Sequence, residues 1–149
     1  MKKVLSFVLV LAMILGSVSL AFAQSFPDTE GTDYDEAARL LTELGVISGY
    51  DDGAFKPENN ITRAEFAAMM IRALGFQVAG SSAVTKFSDV PATYWASTYI
   101  KYASELGIIY GYNDGTFRPK NNITNDEAIA MLVRALGYKD RKSTRLISS

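Results

Sequence analysis

The sequence predicts an all-α protein built from two tandem helix–loop–helix units, and three observations carry that prediction. A 34-residue block recurs at an offset of 62: Thr42–Gly75 and Ser104–Gly137 are identical at 21 positions. Within each block the apolar residues fall at helical rather than alternating spacing. Between the apolar stretches lie Gly, Pro, Asn and Asp clusters, which stop helices and turn the chain. A repeat of this length marks an array of small units. None can bury its own apolar stripe, so the units should pack on each other.

The elements follow in order. Met1, Lys2 and Lys3 give a basic start, an apolar run continues from Val4 to about Leu20, and Ala21-Phe22-Ala23 closes it before Gln24. Residues 1–23 read as a secretory signal peptide cleaved after Ala23; the apolar centre is short for an uncleaved anchor. Unit one, residues 24–75, opens on Phe26-Pro-Asp28. Its first helix carries Ala37, Leu40, Leu41 and Leu44 and stops at Gly45, where a left-handed cap is expected. Asp52-Gly53 and Pro57 fill the loop, and Phe66, Met69, Met70, Ala73 and Leu74 stripe the second helix up to Gly75. Residues 76–86 are small and polar and read as a linker.

Unit two, residues 87–138, repeats the plan from Phe87-Ser-Asp89 onward. Tyr99, Tyr102, Ala103 and Leu106 precede Gly107; Asn113-Asp114-Gly115 and Pro119 form the loop; Ala128, Met131, Leu132, Ala135 and Leu136 lead to Gly137. The last eleven residues, 139–149, hold four bases and one acid and do not resemble the linker. They read as a basic tail, either truncated or not native to the gene.

Composition removes several classes of function. The chain has no Cys and no His, so it offers no thiol nucleophile, disulfide, imidazole base or Cys/His metal site. From Gln24 to Tyr138 there are 9 Lys+Arg against 15 Asp+Glu, a net charge of -6. That argues against nucleic acid, whose phosphates call for clustered bases. The Asp-Gly turns fail as calcium loops. With Gly53 at the sixth place, the first, third and twelfth are Ser48, Tyr50 and Asn59; with Gly115 they are Tyr110, Tyr112 and Asn121. No spaced carboxylate pair stands apart from turn and cap roles, so glycosidase chemistry has no support. No cofactor and no metal is expected.

The candidate binding residues lie near helix starts. Thr62 and Glu65 form a capping box, but that does not explain Arg63 between them. A cation in the first turn opposes the helix dipole, by about 0.3–1 kcal/mol. Uncapped amides together with a guanidinium would suit a carboxylate or phosphate; a salt bridge to an acid of the other unit competes with that reading. Unit two has Asn125-Asp126 in the same place, so any such site there is weakened or lost. Asp28 and Asp89 follow a Phe by two residues and suit loop capping or ligand contact. Trp95 is the only Trp, and serves as core filler or as a platform for a sugar face. Arg72 and Arg134 sit in last helical turns, favoured by the dipole, and read as structural. Tyr94, Tyr99, Tyr102, Tyr110 and Tyr112 read as core and groove wall.

Phe-x-Asp, then Gly-Ile-Ile-x-Gly-Tyr-x-Asp-Gly-Thr-Phe-Arg-Pro, then Ile-Thr-Arg-Ala-Glu-Phe resemble the S-layer homology repeat of bacterial surface proteins. The likeness covers Phe26–Gly75 and Phe87–Tyr138. It implies helix–loop–helix repeats packed in, or as part of, a pseudo-threefold helical bundle, with inter-repeat grooves that bind a pyruvylated secondary cell-wall polysaccharide. By the same resemblance Arg63 pairs with the pyruvate carboxylate, while Trp95, Asp89 and the Gly49 and Gly111 backbone shape the groove. Asp28 is the unit-one counterpart of Asp89. The expectation is a non-catalytic, exported module at the cell surface or in the S-layer. It binds a wall polysaccharide or peptidoglycan-linked polymer, with no nucleic acid and no membrane span after cleavage. Two units stand where three are usual, which implies self-association, or a larger surface protein in which the repeats mediate assembly.

Overall fold

The computed structural model describes residues 25–76, 78 and 82–138. The signal peptide, part of the linker and the basic tail read from the sequence lie outside them. Four helices follow in order: α1 (Asp35–Glu43), α2 (Arg63–Ala73), α3 (Ser97–Glu105) and α4 (Asn125–Ala135). Among the described residues there is no strand, only an isolated bridge between Thr62 and Asn122. The all-α expectation holds.

Local chemistry sets the helix limits. α2 and α4 each start on a capping box: the Thr62 hydroxyl accepts from the Glu65 amide while Glu65 accepts from the Thr62 amide, and Thr124 and Glu127 do the same. This satisfies two amides that the first turn leaves without partners. α1 and α3 start at Tyr34 and Ala96 with no side-chain cap.

The loops are pinned by the Phe-x-Asp openings. Asp28 accepts from the Phe55 and Lys56 amides at 2.9 and 2.6 Å, and Asp89 from Phe117 and Arg118 at 2.8 and 2.7 Å. Lys56 and Arg118 both have φ of 59°, a left-handed conformation that costs a residue with a Cβ about 1–3 kcal/mol. The carboxylate offsets that strain at the residue directly before Pro57 or Pro119. Phe26 and Phe87 pack directly on Gly49 and Gly111. A Cβ on either glycine would meet the phenylalanine ring, and at Gly111 it would also stand 2.6 Å from the Thr116 carbonyl.

Packing crosses between the repeats. α2 lies against α3 and α4 of the second unit. Its Ala64, Ala67, Met70 and Ile71 complete a core with Phe87, Val90, Ala96, Ile100, Ala103, Ile108, Ile109, Phe117 and Met131. Repeat one keeps a smaller cluster of Phe26, Ala38, Val46 and Ile47 beneath α1, and Met69 touches both. One expectation needs correction here. Of the stripe Ala37, Leu40, Leu41 and Leu44, Leu41 packs against the repeat-one core, but Leu40 and Leu44 are 53% and 64% exposed, Ala37 is exposed, and Ala38 points inward instead. The helical period was right, but among the described residues no helix covers that face, because α2 has crossed to the second unit.

Candidate functional site

The junction of the repeats is built from backbone first. The Arg63 amide donates to the Asn121 carbonyl at 2.9 Å, Ala64 to Pro119 at 3.0 Å, and Ile123 to Ile61 at 2.9 Å. With the Glu65 amide taken by Thr62, the first turn of α2 presents no open set of donors. The amide pocket expected at this helix start is therefore closed by the second repeat's loop.

The Arg63 side chain crosses the same junction and is only 3% exposed. Its Nε donates to the Phe117 carbonyl at 2.9 Å and an Nη to the Tyr110 carbonyl at 3.5 Å. Its other Nη stands 2.6 Å from Glu127 Oε1. The guanidinium also lies over the Phe117 and Tyr112 rings, 4.6 and 5.0 Å from their centroids. Of the two alternatives left open by the sequence, the ion pair with the other unit is realised.

A crevice of about 190 Å³ nonetheless opens beside that pair. It is lined by Arg63, Tyr110, Gly111, Tyr112, Glu127, Ala130, Met131 and Arg134. The Arg134 guanidinium lies over the Tyr110 ring at 4.5 Å, and that of Arg118 over Tyr112 at 3.9 Å. Two guanidinium groups and one carboxylate thus line an opening with aromatic walls. Glu127 Oε1 also accepts from the Tyr112 hydroxyl at 2.7 Å. Burial pushes the Glu127 carboxyl up, but bonds from Tyr112, the Thr124 amide and Arg63 outweigh it and hold the group below its ordinary value. The same contact raises the Tyr112 hydroxyl.

Of the residues expected to form a site, the structure brings Arg63 and Gly111 together. Asp28 and Gly49 belong to the repeat-one loop, away from the crevice lining. Asp89 acts one step behind, fixing the amide of Phe117, whose carbonyl receives Arg63. Trp95 is 55% exposed beside Tyr94 and Tyr99, with ring centroids 5.9 and 6.3 Å away, and does not line the crevice. Sequence reasoning missed Arg134 and Glu127 as lining groups. Among the described residues no cluster of His, Cys, Asp or Glu could hold a metal, and no helix is long and apolar enough to cross a membrane.

Alternating helix–loop–helix units that lend a helix across their junction define a repeat module with its crevice between units. The chain belongs to the S-layer homology domain family, whose profile matches residues 25–67 and 86–129. Among its relatives, the middle cell wall protein of Brevibacillus brevis is 36% identical over 93% of this chain and 14% of the relative. The cellulosome-anchoring protein of Acetivibrio thermocellus is 45% identical over 67% of this chain and 23% of the relative. An endoglucanase of Bacillus sp. is 33% identical over 95% of this chain and 16% of that enzyme. The chain thus spans less than a quarter of the length of these proteins. Family and relatives place it at the exported cell surface.

Proposed function

We propose that this chain is a non-catalytic module that holds an exported protein to the bacterial cell wall without a covalent bond. The crevice between the repeats takes an acidic substituent of a secondary cell-wall polysaccharide, the ketal-linked pyruvate expected from the family likeness. The observation that carries this reading is a crevice lined by two guanidinium groups and two tyrosines, drawn from both repeats of an S-layer homology chain. Arginine forks suit a carboxylate, and tyrosine faces suit a sugar ring. Relatives named for cell-wall, surface-layer and anchoring roles support it. The test is co-sedimentation with wall sacculi before and after mild acid removes pyruvate ketals. Binding should fall at least tenfold on treatment, and unchanged binding would overturn the ligand assignment.

A second reading, self-association, is favoured by one observation. α4 exposes Ile129, Leu132 and Val133, which occupy the positions of Ala67, Met70 and Ile71, all buried in α2. What α2 does for the second repeat, α4 stands ready to do for another unit.

A further inference from the structure

Resting on the proposed anchoring function, we propose that Glu127 is a tethered stand-in for the ligand's carboxylate, which occupies Arg63 in the empty protein and yields it when an acidic group enters. The argument begins with what capping requires. In α2 the counterpart Glu65 turns its carboxylate back on the Thr62 amide and hydroxyl, both at 2.7 Å. Glu127 meets the Thr124 amide with Oε2 at 3.1 Å, and gives Oε1 to Arg63 across the repeat boundary and to Tyr112 of its own repeat. The cap does not need that second set of contacts.

The pair is also asymmetric. The Arg63 side chain is 4% exposed and that of Glu127 is 27% exposed, so an anion entering the crevice meets the carboxylate side first. The Phe117 and Tyr110 carbonyls would keep the guanidinium in place if Glu127 moved away. Arg134 brings a second guanidinium to the same lining. A buried guanidinium without a counter-charge is costly, so the unliganded site carries its own. The same device filters ligands. A neutral sugar cannot replace Glu127, whereas a carboxylate that also gains sugar contacts on the tyrosines can.

The experiment is calorimetric titration of the exported chain with a methyl hexoside bearing a pyruvate ketal, and with the methyl ester of that ketal. Glu127→Gln keeps the capping box, which accepts Gln as well as Glu. It should bind the acid about tenfold tighter than wild type, ~1.4 kcal/mol, with no gain for the ester. A folded Glu127→Gln protein that binds the acid no tighter, or gains equally for acid and ester, would overturn the inference and leave the anchoring role intact. Should circular dichroism find Glu127→Gln unfolded, Tyr112→Phe loosens the same carboxylate and should give a smaller gain of the same sign; no gain would count against it. If wild type and both variants bind neither the acid nor isolated walls, the anchoring role itself fails.

Discussion

Arg63 was conspicuous in the sequence because a cation in a first helical turn opposes the dipole and needs another reason to be there. The structure supplies it: two carbonyls, two rings and one carboxylate of the next repeat. Removing the side chain strands those partners in a buried junction. Arg63→Ala should cost about 3 kcal/mol, lowering the melting temperature by about 10 °C or more in a body of this size. Thermal unfolding followed by circular dichroism measures it, and a shift below a few degrees would refute the lock. Lost wall binding in that variant therefore needs a folding control. Glu127 and Arg134 escaped notice for the opposite reason. A Glu three residues after a capping Thr and an Arg in a last turn are already explained locally, so neither leaves a residue of surprise in the sequence. Trp95 drew attention in another way, by its rarity, and its ring sits outside the crevice.

At the scale of the element, the loop between paired helices is where identical residues do identical work. Gly49 and Gly111 were read as groove-shaping backbone, yet their first duty is to let Phe26 and Phe87 approach. Gly111→Ala should cost about 2–3 kcal/mol through overpacking. Gly115→Ala meets nothing within 4 Å and carries only the burden of a φ of 80°, about 1 kcal/mol. Urea unfolding of the two variants should rank them in that order, and the reverse order would mean that space at the Phe87 ring is not what selects glycine. The same loops predict an acid response. The Phe55 and Lys56 amides hold Asp28 low, Lys56 and the Ala54 amide hold Asp52 low, and Thr116 with Arg118 holds Asp114 at about 2. Glu127 is lowered too. Each carboxylate binds its proton less readily folded than unfolded, so its contribution is complete above the unfolded value and lost as pH falls through the folded one. Melting temperature should hold steady from neutral pH down to about 5 and decline from about 4.5 to 2. A flat profile across that lower range would contradict the hydrogen bonds assigned to these side chains.

At the scale of the whole molecule, the two repeats are joined through one helix and one shared core. Helical periodicity, turn residues and the 62-residue offset gave the elements and their number, because those are local signals. Which face of each helix would be covered was not local, since it depends on α2 leaving its own repeat for the next. Among the described residues that exchange leaves apolar side chains exposed on both outer helices: Leu40 and Leu44 on α1, and Ile129, Leu132, Val133 and Leu136 on α4. The pattern is head-to-tail, so a contact between copies joins unlike faces and either closes a ring or continues. Light scattering after size exclusion should accordingly show mass rising with protein concentration. Leu132→Glu should hold the chain monomeric with a melting temperature within about 2 °C of wild type, because an exposed substitution costs little. Met70→Glu, at the matching position of α2, buries a charge in the shared core and should unfold the protein instead. Two glutamates one repeat apart would thus separate an interface from a core. Wild type that stays monomeric at every concentration, or Leu132→Glu that associates as wild type does, would remove the α4 face as the site of assembly.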